Sequence, residues 1–299
     1  DHTDSMSMRD AGWIQIFAET NQEALDLHIQ AFRIAEQLSL PVMVCMDGFI
    51  LTHAYERIDI PEQAQVDRYL PPYEPRQVLD PSEPVTIGAM VGPEAFTEVR
   101  YLAHAKQLQA LDLLPELAKE FKEVFGRDSG GLVKPYKLDD AETIVIALGS
   151  VLGTIKDTVD EMREQGVKIG VLGITSFRPF PIEAIRAVTA HAKRIVVIEK
   201  CFAVGIGGIV SRDVRSAVQS RPQQVFAVVA GLGGRAITKA SLHKMLQQAI
   251  ADQLELLTFL DLDWGIVNRV LEREKLQRRS GPVAEGILRD IGTVSSKIA

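Results

Sequence analysis

The sequence predicts an α/β protein with two sheet-bearing regions, and three observations predict it. A strand–helix–strand unit fills the stretch from Trp13 to Gly48. Four apolar, β-branched runs, each followed by an amphipathic helical pattern, recur between Thr143 and Ala251. Between these regions, "YLPPYEPRQVLDPSEP" carries five prolines in sixteen residues, and proline removes backbone donors and disfavours regular structure on either side. Alternation of strand and helix is the pattern of a parallel sheet with helices on its faces.

Taken in order, "DHTDSMSMRDAG" is a polar loop leading into a short strand from Trp13 to Ala18. Ala24, Leu27, Ile34 and Leu38 recur at helical spacing. Thr20 or Asn21 is placed to cap that helix, with Glu23 in its first turn. "PVMVCMDG" is a continuous apolar run, which suits a strand covered on both faces. Pro61 to Pro93 reads as an extended, ordered surface linker, held by packing of Tyr69, Leu70, Tyr73 and Val78. A helix over about Glu94 to Phe125 follows, interrupted or bent near Pro115; "GRDSGG" ends it and "LVKPYKLDDAE" leads onward.

The second region places strands at 143–150, 168–175, 194–200 and 225–234, with helices near 152–165, 182–191, 207–219 and 238–251. Right-handed crossovers make this a parallel sheet, with a crevice at the carboxyl ends of its strands where ligands dock. Leu254 to Ala299 reads as a packed arm ending in a solvated helix, with LEREKLQRR an exposed charged face.

Composition narrows the function. The chain has 299 residues, 46% hydrophobic and 24% charged, with a net charge of −7. That balance suits a soluble globular protein and argues against a nucleic-acid or anionic-membrane partner, which would repel the average surface. No run approaches the roughly 20 apolar residues that cross a bilayer, and the start carries no signal pattern, so a cytoplasmic location is expected. Cys45 and Cys201 are isolated in apolar runs, which fits a reducing compartment and cannot supply the four ligands of an iron–sulfur cluster.

Several motifs invite a chemical reading. Gly205, Gly207 and Gly208 in "EKCFAVGIGGIV" resemble a dinucleotide loop, but the final glycine of GxGxxG is replaced by Val210. "GLGGR" has the wrong spacing too, leaving tight strand-to-helix packing as the plainer reading. Arg178 and Arg235 sit at such turns, where ion pairing or anion contact both fit. In "SFRPFP", Pro181 suits an early helix position. His2, His28, His53, His104, His191 and His243 show no metal-ligand spacing, so no metal site is expected. Asp1, His2, Asp4 and Arg9 crowd four ionisable groups into nine residues of loop; a salt-bridged structural loop and a functional loop both fit.

Together "DHTDSM", "RDAGWIQ", "NQEALD", "LPVMVCMDGFILTH", "GSVLGTIKDTVD", "SFRPFP", "EKCFAVGIGG" and "GLGGRAIT" resemble, in order over most of residues 1–250, the α subunits of the pyruvate:ferredoxin oxidoreductase family. "MVCMDGFILTH" and "FRPFP" are the most specific pieces. The resemblance implies an enzyme subunit: oxidative decarboxylation of a 2-oxoacid or its reverse, pyruvate ahead of 2-oxoglutarate, 2-oxobutyrate or a branched 2-oxoacid, on thiamine diphosphate with Mg2+. It further implies electron transfer through iron–sulfur clusters to ferredoxin or flavodoxin, and delivery of the acyl group to coenzyme A. The Mg2+ motif and the cluster cysteines are expected in partner subunits of β, γ and δ type.

On that resemblance residues 1–92 are the C-terminal part of a thiamine pyrimidine-binding-type domain with its Pro-rich linker. Residues 93–140 are a helical connector, 141–251 a transketolase C-terminal-like domain, and 252–299 a C-terminal arm. The family's cofactor-activating glutamate and carboxylate-binding arginine precede the DHxD segment. The resemblance therefore implies a chain truncated at its N-terminus, with catalytic residues upstream of Asp1 and with Asp1, His2, Asp4 and Arg9 on the rim of the cofactor site. Two alternatives stand beside it. The isolated chain is a non-catalytic assembly module, or the second region belongs to a transketolase or a 2-oxoacid dehydrogenase β-type subunit; the linker and DGFILTH pieces favour the ferredoxin-linked family.

Overall fold

A computed structural model describes residues 1–84, 90–219, 221–276 and 283–292. The chain divides into two units, Asp1–Leu260 and Asp261–Ala299.

The first unit opens with a helical turn, α1 (Thr3–Ser7), where the sequence reads as loop. β1 (Ile14–Phe17), α2 (Asn21–Leu38) and β2 (Val42–Cys45) follow as predicted. Thr20 caps α2: its Oγ1 accepts from the Glu23 amide at 3.1 Å, an amide that the first turn leaves without an intrahelical partner, while the Glu23 carboxylate reaches back to accept from the Glu19 amide just before the cap at 2.8 Å. β2 packs on both faces, Val42 and Val44 against α2 and Met43 and Cys45 toward the second sheet. It lies at a sheet edge, which is why three of its four residues are only half-buried.

Two short helices, α3 (Ile50–His53) and α4 (Gln63–Tyr69), lead to α5 (Phe96–Phe125), a continuous helix of 30 residues with Pro115 inside it. The linker is anchored at one end. Tyr69 is buried against Phe121 and Phe125 and its hydroxyl donates to the Leu117 carbonyl at 3.1 Å. Tyr73 and Val78, expected to pack, are instead more than half exposed.

The remaining strands are β3 (Val133–Tyr136), β4 (Thr143–Ala147), β5 (Ile169–Ile174), β6 (Ser176–Arg178), β7 (Arg194–Glu199), β8 (Gln224–Val229) and β9 (Leu257–Phe259). Helices α6 (Val151–Glu164), α7 (Ile182–Val188), α8 (Val210–Val218) and α9 (Lys239–Ile250) lie between them. Six form one sheet in the order β3-β5-β4-β7-β8-β9, parallel except for β3. The four predicted strands are its centre. β3 and β9 come from the lead-in and arm stretches, which carry too little apolar periodicity to announce a strand.

β6 joins a different sheet. A single residue, Thr175, separates it from β5, yet β6 pairs antiparallel with β1, giving a three-stranded sheet in the order β2-β1-β6. The "SFR" run thus stitches the sheets together. Between them a core gathers Met6, Phe17 and Cys45 with Ile144, Phe177 and Val197. A second core packs α6 and α9 on the opposite face of the large sheet, and a third packs α2 and α5 against β1.

Polar anchors tie α2 to the segment after α5. Asp26 is fully buried and receives Arg127 Nη2 at 2.7 Å, Arg127 Nε at 3.0 Å and the Ser129 hydroxyl at 2.7 Å. Beside it, Lys134 pairs with Glu23 and Lys156 with Glu19. In the second unit, α10 (Trp264–Leu276) and α11 (Val283–Asp290) are joined by Arg273 and Asp290 at 2.8 Å. The end of the LEREKLQRR run, residues 277–279, lies outside the described residues. Among the described residues no helix is long and apolar enough to cross a membrane.

Asp26→Ala removes the acceptor of the Arg127 and Ser129 hydrogen bonds and leaves the buried Ser129 hydroxyl without its partner, while Arg127 is part-exposed and regains water. It is therefore expected to lower the unfolding free energy by about 2 kcal/mol, read as the shift in urea midpoint; a loss below about 0.5 kcal/mol would show that the Arg127 pair does not hold α2 in place.

Candidate functional site

The carboxyl ends of β2, β4 and β7 converge where the two sheets meet. Asp47 follows β2, Gly149 and Ser150 follow β4, and Lys200 follows β7. His2 is brought to them by a backbone bond from its amide to the Lys200 carbonyl, 2.9 Å. Asp47 Oδ1 lies 2.6 Å from His2 Nε2 and 2.6 Å from Lys200 Nζ, and its Oδ2 accepts from the Ser150 amide. All three side chains are at most 5% exposed. The His2 ring meets Phe17 edge-on at 5.2 Å, and Phe17 in turn meets Phe177 at 6.1 Å.

The turn after β4 requires its glycine. Gly149 sits at φ +79°, and a Cβ there would come within 2.7 Å of Asp47 Oδ2 and 3.1 Å of the His2 ring. Burial pushes the Asp47 carboxyl up, but the hydrogen bond and charge of His2, with those of Lys200, outweigh it and hold the group well below the usual carboxylate range. An ionised Asp47 only accepts, so His2 Nε2 carries the proton in their bond. His2 Nδ1 is buried without a partner among the described residues.

Above this cluster lies a small cleft of about 260 Å³ lined by Asp1, Gly48, Phe49, Gly233 and Gly234. Asp1 Oδ2 accepts from the Gly233 amide at 3.2 Å. Phe49 is held at φ +73° and is 64% exposed, a backbone conformation uncommon outside glycine and of the kind that collects at functional loops.

The four residues singled out in the sequence are not one constellation. His2 enters the buried cluster and Asp1 lines the cleft above it. Asp4 is exposed and accepts from its neighbour's amide, Ser5, at 2.7 Å. Arg9 turns away, donating to the Met6 carbonyl at 2.9 Å and lying 3.6 Å from Asp10. Sequence reading did not single out Asp47 and Lys200, although both end apolar strand runs, the positions where parallel sheets collect functional groups.

The glycine loop after β7 has a structural task. The buried Glu199 carboxylate accepts from the Ile209 and Val210 amides at 2.7 Å each, capping α8, and a Cβ at Gly208 would meet Glu199 Oε1 at 2.0 Å. Burial raises the Glu199 pKa although these amide bonds pull it down. Cys45 and Cys201 are buried thiols, and burial pushes each up to about 12, so both are poor metal ligands and nucleophiles.

Two family models match the chain. "Pyruvate flavodoxin/ferredoxin oxidoreductase, thiamine diP-bdg" covers residues 1–118, and "Pyruvate:ferredoxin oxidoreductase core domain II" covers residues 141–242. The pyruvate synthase subunit PorA of Methanosarcina barkeri is 43% identical over 253 residues, 83% of this chain and 63% of that protein. PorA of Methanothermobacter thermautotrophicus is 38% identical over 83% of the chain and 64% of its own length. The ketoisovalerate oxidoreductase subunit VorA of Pyrococcus abyssi is 35% identical over 93% of the chain and 69% of its own length. The chain thus spans somewhat under two thirds of the PorA relatives. Among solved structures, the 2-oxoglutarate:ferredoxin oxidoreductase of Magnetococcus marinus superposes with a TM-score of 0.56 at 17% identity, over 80% of this chain and 42% of that one, a likeness of fold.

The Asp47 carboxyl binds its proton less readily folded than unfolded. Its stabilisation is therefore complete above the ordinary carboxylate value of about 4 and drains away as pH falls below it. Asp47→Asn is expected to flatten that acid limb in urea unfolding followed from about pH 3 to pH 7. At neutral pH it is expected to cost about 3 kcal/mol, because Lys200 stays buried without its counter-charge. An unchanged acid limb would mean that the cluster is not ionised as drawn.

Proposed function

Because the chain belongs to the pyruvate:ferredoxin oxidoreductase family, we propose that it works as part of the α-type subunit of a thiamine diphosphate-dependent 2-oxoacid:ferredoxin oxidoreductase that acts on pyruvate. The observation that carries this reading is the run of relatives named pyruvate synthase subunit PorA, 38% to 43% identical over most of the chain. VorA, named for ketoisovalerate, is more distant at 35%. The seam geometry supports it, since the strand ends of two α/β sheets meet at one crevice, the usual position of a ligand site. We assign Asp1 and His2 to the rim of that crevice. Asp4 and Arg9 belong to the same rim segment but do not face the cleft.

Among the described residues no cluster of three or more His, Cys, Asp or Glu side chains could hold a metal ion, and the two cysteines are buried apart. We assign the Mg2+-diphosphate end of the cofactor and the iron–sulfur clusters to partner polypeptides; two buried, separate cysteines fall short of the four ligands a cluster takes. The partners are of β, γ and δ type, with ferredoxin or flavodoxin receiving electrons and coenzyme A the acyl group.

Two measurements test this. The chain, incorporated into an α subunit of the relatives' full length and assembled with its partner subunits, is expected to reduce viologen in a coenzyme A-dependent way. Its kcat/KM is expected to be at least about tenfold higher with pyruvate than with 2-oxoglutarate or 3-methyl-2-oxobutanoate, a discrimination of about 1.4 kcal/mol; the reverse ranking would overturn the substrate assignment. The purified 299-residue chain alone is expected to show no micromolar binding of thiamine diphosphate by calorimetry in the presence of Mg2+, and tight binding there would refute the assignment of the diphosphate end to a partner.

A further inference from the structure

A second cleft, of about 320 Å³, lies on the far side of the β1–β6 pairing, between the segment before β1, the first half of α5 and the turn after β6. Its floor is apolar, with Trp13, Leu111 and Phe180 among the lining side chains, and three guanidinium groups reach its wall: Arg9, Arg100 and Arg178. In a chain of net charge −7 this concentration of cations has to be explained by local chemistry.

Two of the three arginines are already balanced. Arg9 lies 3.6 Å from Asp10, and Arg178 lies 2.8 Å from Asp213 and 4.0 Å from Asp10. Arg100 has no hydrogen-bond or ion-pair partner among the described residues. The wall therefore carries one positive charge in excess, enough for a monoanion and too little for a dianion such as a phosphate monoester. Gln107 supplies a second, independent signal. Its Nε2 donates to the Gly12 carbonyl at 2.8 Å, which fixes the orientation of the amide, and its Oε1 is then buried with no donor among the described residues. A buried acceptor left unmet costs free energy that a ligand hydroxyl or ammonium recovers. An ammonium would add a cation beside three guanidiniums, so the hydroxyl fits.

From this we propose that the cleft is a binding site for a small 2-hydroxycarboxylate with an aromatic or branched apolar side chain. The carboxylate sits at Arg100 on the guanidinium wall, the hydroxyl donates to Gln107 Oε1, and the side chain lies on the floor. The size of the cleft matches the lower end of small-molecule pockets. The cleft is separate from the crevice at Asp47 and does not depend on the proposed activity, because the groups that would hold the ligand, Arg100 and Gln107, lie on α5 and line no part of that crevice.

The test is a titration of the full chain with 3-phenyl-2-hydroxypropanoate at low salt, read by calorimetry and by saturation-transfer NMR. Saturable binding with a dissociation constant below about 1 mM is expected, in line with the affinity available to a ligand of about a dozen heavy atoms. Arg100→Ala, a change at an exposed position, is expected to weaken it at least about tenfold, the worth of one charge-assisted hydrogen bond. 3-Phenylpropanoate, lacking the hydroxyl, is expected to bind about fivefold more weakly than the hydroxy acid to the native chain and equally well to Gln107→Met. No saturable binding up to about 10 mM would overturn the proposal, as would an affinity that Arg100→Ala leaves unchanged. If Gln107→Met does not fold, the comparison of the two acids on the native chain decides the role of the hydroxyl.

Discussion

The structure depends on one carboxylate taken out of water. Asp47 ends a strand of the small sheet, and its partners, His2, Lys200 and the Ser150 amide, come from the loop before that sheet and from two strand ends of the large one. A charge at this depth is tolerable only if every acceptor position is met, and each of its oxygens has a donor. That requirement fixes the spacing of the strand ends, and the turn at Gly149 admits no side chain because the carboxylate already fills the space. The aromatic contacts through Phe17 and Phe177 then fill the volume left between the sheets. The seam is polar at its centre and apolar around it.

Much of this architecture was legible from residue patterns. The four central strands of the large sheet are rich in β-branched residues and buried along their length, except at Arg194 and Gln224 where β7 and β8 begin, so their apolar runs stand out against amphipathic helices. The Thr20 cap was legible because its side-chain chemistry acts within three residues. β3 was hidden because it is an edge strand in which Lys134 and Pro135 break the apolar run, and β9 because three residues are too few to show a period. β6 is not legible in the sequence, since nothing local marks Ser176 to Arg178 as the partner of a strand some 160 residues earlier.

The candidate site shows the same division. His2 drew attention through the local density of charge around it, a signal that one stretch of chain contains. Asp47 and Lys200 are 153 residues apart, and their pairing exists only once two sheets have been laid edge to edge. The glycine loops lack the spacing of a phosphate site, and the structure gives a reason for one of them: in "EKCFAVGIGG" the anion at the α8 amides is the chain's own Glu199, which occupies the positions a phosphate would use. A motif near to a known one was serving the same physics with an internal ligand.

The passage from β5 into β6 has a mechanical meaning. Where two α/β bodies are joined by a coil, they keep a rotational degree of freedom and open or close about it; here the joining segment is itself hydrogen-bonded on both sides of Thr175, into one sheet before it and another after it. Swinging the bodies apart would break ladder bonds in both sheets. Hinge bending is thereby removed from the repertoire of this unit, and entry to the crevice falls to the loops that roof it, those of Phe49 and of Gly233 and Gly234.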